Sequence, residues 1–179
     1  MKRSPSDAGP PDGPASTAAN AAGPSTRPGG GDGDAEVILH ATTVSLDGRG
    51  ALILGPSGSG KSTLALAMMA SGAALVADDR TIIRADREAL VASCPARLSG
   101  LIEARGIGLL NARPAGPARL SVVVDLGSAA GARLPDPAVW TCLGRDVPLV
   151  RGGGAHDLAP ALMQLLRAGP AASPFGRGS

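Results

Sequence analysis

Apolar positions along this chain fall into short runs rather than one sustained helical period, and the first 34 residues contain no such run. Residues 1–34 lack Val, Ile, Leu, Phe and Trp, and 13 of the 34 are Gly or Pro, so this stretch has nothing to bury and is expected to be a disordered extension. Patterning begins at Glu36. Val37 to Leu46 predicts a strand, and Asp47-Gly48-Arg49-Gly50 supplies the turn chemistry that returns it as the run Ala51-Leu52-Ile53-Leu54. Gly55 ends that run, and a helical pattern follows from Lys61 to about Ala70, with Gly72 as its stop. A short strand over Ala74 to Ala77 runs into Asp78-Asp79. Thr81 to Arg84 and Ala89 to Ala92 flank Asp86-Arg87-Glu88 as the arms of a hairpin. Leu120 to Leu126 is the most β-like run, Val139 to Leu143 and Val147 to Val150 are weaker ones, and Asp157 is placed to cap a last helix ending at Gly169-Pro170. The pattern predicts one β-rich α/β domain over residues 35–169 with two helices and no internal repeat, followed by a flexible tail over 170–179.

Composition removes several functions. The aromatic residues are Trp140 and Phe175, with no Tyr, so the core must be aliphatic and a base-stacking nucleic-acid platform cannot be built. The net charge of +2 and the scattered arginines offer no phosphate-backbone stripe. Cys94 and Cys142 stand alone, without a CxxC pair, which suits a reducing cytoplasm and small apolar packing roles. Lys2 and Arg3 are not followed by an apolar h-region, and the longest apolar stretch, Leu64 to Ala77, is interrupted by Ser71-Gly72, so neither targeting nor membrane insertion is expected.

The chemistry concentrates where the run 51–54 meets the first helix. Gly55-Pro56-Ser57-Gly58-Ser59-Gly60-Lys61-Ser62 fits G-x-x-x-x-G-K-[ST] between a buried strand and a helix, the context this P-loop (Walker A) pattern requires. Its glycines let successive N–H groups turn inward around phosphate oxygens, and the helix N-terminus adds partial positive charge. In that role Lys61 reaches the β- and γ-phosphates of ATP and Ser62 ligates Mg²⁺. Lys61 is the only lysine beyond Lys2, so no N-K-x-D guanine-selecting element can follow it. Leu98-Ser99-Gly100 continues as Leu101-Ile102 and does not form an LSGGQ helix, and there is no Arg-rich lid segment of the kind small-molecule kinases use.

Asp78 and Asp79 end a buried strand close after the P-loop helix, where one carboxylate can serve the metal and the other can accept a proton. Asp125, after Val122-Val123-Val124, fits a Walker B strand on pattern alone and ranks behind Asp79 as metal partner, because its strand is remote in sequence from the P-loop. His40 on its own reads as a core histidine, His156 as a surface or capping residue, and Arg145 and Arg151 as solvated. The Leu158, Leu162, Leu165, Leu166 stripe reads as core.

Together, His40, GPSGSGKS, Leu75-Val76-Ala77-Asp78-Asp79 and Leu101-Ile102-Glu103-Ala104-Arg105-Gly106-Ile107-Gly108 resemble the catalytic domain of bacterial HPr kinase/phosphorylase, in particular the short form without the family's N-terminal domain. The resemblance runs from about Val37 to Leu126. It implies a P-loop kinase fold and an ATP- and Mg²⁺-dependent serine kinase, in an oligomer, acting on HPr, the phosphocarrier of the sugar phosphotransferase system, in regulation of carbohydrate metabolism. Under it, Asp78 is the general base toward the seryl hydroxyl and, protonated, assists the reverse phosphorylase reaction. Glu103 stands near the metal, Arg105 is the signature arginine, and His40 lies close to the transferred phosphoryl group.

Two departures adjust those expectations. Thr63 stands where the family has an acidic residue, which shifts metal coordination onto Ser62, Asp79 and Glu103. The Arg-containing loop linked to dephosphorylation is represented by Val150-Arg151-Gly152-Gly153-Gly154 alone, so kinase activity is favoured over phosphorylase activity. The same departures motivate the alternative, a non-catalytic ATP-binding regulatory module.

Overall fold

A computed structural model describes residues 25–27, 35–131 and 136–170 of the chain. The strands are β1 (Ser25–Arg27), β2 (Glu36–Leu39), β3 (Thr42–Leu46), β4 (Arg49–Leu54), β5 (Ala74–Ala77), β6 (Thr81–Asp86), β7 (Ala89–Ser93), β8 (Leu101–Ala104), β9 (Gly108–Asn111), β10 (Ala118–Ala129), β11 (Val139–Cys142) and β12 (Arg145–Gly153). Two α-helices, α1 (Lys61–Ala70) and α2 (Leu158–Ala168), complete a mixed, strand-rich α/β fold. One sheet runs β1-β2-β6-β7-β10-β4-β3-β5, with β12 added to β10 and β11 to β12, while β8 and β9 form a separate hairpin.

At the centre, β4 and β10 are parallel and pair Ala51↔Val122, Leu52↔Val123 and Ile53↔Val124. All six side chains are fully buried, because alternate residues point to opposite faces and both faces are covered. Ala51, Ile53, Val122 and Val124 face α1 and α2, where Ala65, Met68, Leu162, Met163 and Leu166 complete the packing. Leu52 and Val123 face the other way, onto Ile83, Leu90, Ala92 and Val147. A run apolar at every position, such as Ala51–Leu54, is the signature of such a two-sided strand. The edge of β5 is covered by the segment after β9, with Leu75 N–H bonded to Arg113 O and Ala115 N–H to Leu75 O.

Several expectations change. Val37 to Leu46 is two strands broken at His40-Ala41, because β2 pairs with β6 whereas β3 pairs with β4 and β5. The chain between β5 and β6 crosses over at the same level, through Asp78-Asp79-Arg80, so the two interruptions lie side by side. The β8–β9 hairpin had no counterpart among the expected elements, and β10 and β12 are longer than their apolar runs. Asp157 occupies the N-cap of α2, but its backbone is left-handed (φ 62) and no side-chain cap forms, since capping requires extended backbone there. Of the expected disordered extension, Ser25–Arg27 pairs antiparallel with β2, through backbone groups that need no apolar side chain. The rest of residues 1–34, and residues 171–179 of the tail, lie outside the described residues. Among the described residues no helix is long and apolar enough to cross a membrane.

Truncating Ile53, fully buried, to Ala is expected to cost about 2–5 kcal/mol in urea denaturation, while Ile107→Ala, at 78% exposure, should stay within about 0.5 kcal/mol. Equal effects at the two positions would contradict this core.

Candidate active site

Residues 55–62 turn from the end of β4 into α1, with Gly55, Gly58 and Gly60 at positive φ. At Gly55 a Cβ would stand 2.5 Å from Ser59 Oγ, so the loop can close this tightly only around glycine. Gly60 is the N-cap of α1, no side chain caps the helix, and its first turn holds no acidic residue. The N–H groups of that turn, which have no intrahelical acceptor, are thus left for an external anion. Lys61 is buried beneath the loop and donates from Nζ to Gly55 O at 3.0 Å and to Pro56 O at 3.1 Å. Desolvation pushes its ammonium below the ordinary 10.5, with the charges of Asp78 and Asp79 acting in the opposite direction.

Asp78 closes β5 with its carboxylate buried. Oδ1 accepts from Thr42 Oγ1 at 2.6 Å and from Ser62 Oγ at 3.0 Å, and Oδ2 accepts the Glu103 N–H at 2.9 Å. One carboxylate therefore ties β3, the first turn of α1 and β8 together. Asp79 differs in every respect. Its backbone is left-handed (φ 65) within the tight Asp78-Asp79-Arg80 turn, closed by Arg80 N–H to Asp78 O at 2.7 Å. Its side chain is 64% exposed and lies 2.8 Å from His40 Nδ1. Lys61 Nζ is 3.2 Å from the other ring nitrogen, His40 Nε2. An ammonium only donates, so Nε2 accepts and Nδ1 carries the hydrogen given to Asp79. His40 thus links the loop lysine to the exposed aspartate. The β2–β3 break and the β5–β6 turn are what bring these two side chains together.

His40, Thr42, Lys61, Ser62, Asp78 and Asp79 line a cleft of about 210 Å³ with Glu103 and Arg105 on its far wall, both on the β8–β9 hairpin. Arg105 leans toward the loop, with Nη2 3.8 Å from where a Gly58 Cβ would stand. Every expected site residue except Gly55, Pro56 and Ser59 lines this cleft, and those three belong to the loop that forms its rim. Asp125 does not. Its strand, remote in sequence, is in fact the neighbour of β4, with Asp125 opposite Leu54. Its carboxylate is taken up locally by the Gly127 N–H and Ser128 Oγ. Arg151 is exposed outside the cleft. His40 is half exposed rather than a core residue. Cys94 and Cys142 are half-buried, and burial raises both thiols above their ordinary 9.0, with Asp78 adding to the rise at Cys94.

Thr42 is the site residue that sequence reasoning missed. Nothing distinguishes it from Thr43 until the strand register sets it opposite Asp78. The β8–β9 hairpin did carry a signal, the alternation in Leu101-Ile102-Glu103-Ala104 followed by Gly106.

The donor set fits a polyphosphate. Backbone N–H groups and Lys61 face the cleft from the loop and Arg105 from the far wall, while Ser62, Asp79 and Glu103 offer oxygen. Among the described residues no cluster of three or more His, Cys, Asp or Glu forms a metal cage of its own. The oxygens of Ser62, Asp79 and Glu103 in one cleft suit Mg²⁺, which is held by one or two protein oxygens together with substrate phosphates.

Residues 34–116 match the family model described as HPr Serine kinase C-terminal domain, a span that holds every residue of this cleft. The HPr kinase/phosphorylase of Levilactobacillus brevis is 41% identical over 92 residues, 49% of this chain and 30% of that protein. That of Lactiplantibacillus plantarum is 41% identical over 92 residues, 49% of this chain and 29% of its own length. For Listeria welshimeri the figures are 43% over 76 residues, 42% and 24%. The chain therefore matches less than a third of the length of these curated relatives. Among solved structures, the Hpr(Ser) kinase/phosphatase from Coxiella burnetii is similar with a TM-score of 0.64 at 26% identity, covering 73% of this chain and 93% of that one.

Thr42→Val keeps the shape of β3 and removes one donor from a buried carboxylate, so it is expected to destabilise the fold by about 1–3 kcal/mol in urea melts. Lys61 makes a separate prediction. Its folded pKa lies below its unfolded value, so in the window beneath 10.5 the unfolded chain holds the extra proton and stability rises with pH. Wild type should therefore gain stability over Lys61→Met as pH climbs through that window. A difference that stays flat would mean that the ammonium is not desolvated.

Proposed function

We propose, from the match of residues 34–116 to the HPr Serine kinase C-terminal domain, that the chain is an ATP-dependent protein serine kinase acting on an HPr-type phosphocarrier. The observation that carries this reading is the chain Lys61–His40–Asp79, which sets an exposed carboxylate at the mouth of an uncapped helix N-terminus.

In this reading the loop N–H groups and Lys61 hold the β- and γ-phosphates, Lys61 exchanging the Gly55 and Pro56 carbonyls for phosphate oxygens. Ser62 and Glu103 would hold Mg²⁺, which when bound would supply charge neutralisation on those phosphates. Arg105 adds positive charge from the opposite wall. The seryl oxygen of the phosphocarrier bonds to the γ-phosphorus, the bond to the β,γ-bridging oxygen breaks, ADP leaves with that electron pair, and a carboxylate takes the seryl proton. Positioning and charge compensation account for most of the acceleration in such a transfer.

The geometry favours exchanging the two aspartates relative to the roles expected from the sequence. Asp78 already accepts three hydrogen bonds and is 8% exposed, which supports a role in orienting Ser62 from the cleft wall. Asp79 is open to an incoming hydroxyl and is held by the His40 N–H, so we assign it as the base. Arg151 lies outside the cleft, which supports the forward, kinase direction over phosphorolysis.

Incubation of the protein with Mg·ATP and an HPr-type phosphocarrier should yield phosphoserine, read by mass spectrometry. Asp79→Asn, which tolerates the same backbone, should lower the transfer rate by about 10²–10⁴-fold while Mg·ATP still binds. Transfer that survives in Asp79→Asn and is lost only through Asp78 would restore the original assignment. Mg·ATP binding with no transfer to any phosphocarrier would identify a non-catalytic ATP-binding regulatory module.

A further inference from the structure

The cleft that gathers His40, Lys61 and the two aspartates has a volume of about 210 Å³, below the ~300 Å³ at which pockets for small organic ligands begin. It has room for phosphates and not for a whole nucleotide. A second cavity of about 530 Å³ adjoins it, and Gly60 and Thr63 line both. The first turn of α1 is therefore a shared wall, with the phosphate cleft on one side and the larger cavity on the other.

Three strands that run parallel, β4, β10 and β12, end at this second cavity. Their C-terminal ends lead into loop 55–62, Leu126 and Gly152–Gly154. In open α/β sheets the crevice beyond the carboxyl ends of parallel strands is where ligands bind. Thr63 and Ala67, one helical turn apart, present one wall, and Leu126 and Leu158 face them. The floor is closely packed, and at Gly153, where backbone stands in the way, it requires glycine. A Cβ at Gly152 would stand 2.7 Å from Leu158 Cδ1, and one at Gly153 would stand 2.6 Å from Ser128 O. Apart from the backbone, the cavity is mainly aliphatic, with polar side chains at its rim in His156 and Asp157, both exposed. The triglycine run that sequence reasoning weighed only as a remnant of an arginine loop thus has a packing role beside the phosphate cleft.

We propose that this cavity receives the purine nucleoside of the nucleotide whose phosphates occupy loop 55–62, with the chain of phosphates passing over Gly60 and Thr63. The proposal rests on the reading of that loop as a triphosphate site and adds where the base lies. The base is held by apolar contact between α1 and the 152–158 segment. Among the lining residues, Ser59 alone has a buried side-chain polar atom without a partner, its Oγ; one hydroxyl can donate or accept, so adenine and guanine are distinguished weakly, in contrast to sites that read a base through several buried polar groups.

The test is equilibrium binding of Mg·ATP, Mg·GTP and Mg·tripolyphosphate to the full chain and to Ala67→Phe, a substitution at an exposed helical position that fills the cavity. ATP is expected to bind tighter than tripolyphosphate by about tenfold or more, GTP to fall within about tenfold of ATP, and Ala67→Phe to remove the advantage of ATP while tripolyphosphate affinity is kept. Retained tripolyphosphate binding also reports that the variant is folded. Three results would overturn the proposal: ATP no tighter than tripolyphosphate, an advantage that survives Ala67→Phe, or a GTP affinity more than about a hundredfold below that of ATP. If neither ATP nor tripolyphosphate binds the wild-type chain, the phosphate site itself is wrong and the nucleoside cavity falls with it.

Discussion

A carboxylate taken out of water has to be met by hydrogen-bond donors, and in this protein that requirement falls on Asp78. Its donors come from Thr42 on β3, Ser62 in the first turn of α1 and the backbone of Glu103 on β8. None of these is its neighbour in sequence, so a single buried charge sets the relative positions of three elements. The loop before α1, the hairpin that carries Glu103 and Arg105, and the sheet edge beyond β3 are aligned by the same two oxygen atoms. The cleft exists because this group is satisfied.

A second constraint concerns where the sheet changes partners. β2 and β6 pair in one part of the sheet, β3 and β5 in another, and the chain must cross between them twice. Both crossings fall at one level, which puts His40 beside Asp79. The crossing at Asp79 is made with a non-glycine residue at positive φ, a conformation that Asp tolerates better than most residues but that still carries strain of about 1–3 kcal/mol. A glycine would relieve that strain and remove the carboxylate. Retaining an acid there is consistent with a site where reactivity is held at some cost to stability. The charges are complementary as well. Lys61 has lost part of its hydration and is steadied by two aspartates and a ring nitrogen.

The similarity to known proteins is uneven along the chain. The family match and the curated relatives cover the half that contains the cleft, while β10, β12 and α2, which line the adjoining cavity opposite α1, lie beyond residue 116. The likeness to the Coxiella burnetii structure extends over 73% of this chain and so reaches past the matched span. The half that holds the cleft and the half that completes the adjoining cavity are thus supported by different observations, and the second rests on the packing of Gly152, Gly153 and Leu158.

Much of the local structure was legible from residues alone. An unbroken apolar run between turn residues marked β4, and the G-x-x-x-x-G-K-S spacing marked the loop and the start of α1, because both are rules about neighbours along the chain. The same holds for the β6–β7 hairpin and for α2. What depended on contacts between distant residues was not legible. The break at His40, the hydrogen bond from Thr42 and the separate surroundings of Asp78 and Asp79 follow from strand register, which no local pattern encodes. Two adjacent aspartates are equivalent on paper. Only the packed sheet buries one among donors and leaves the other open beside a histidine, since burial is a property of the whole fold and not of the residue.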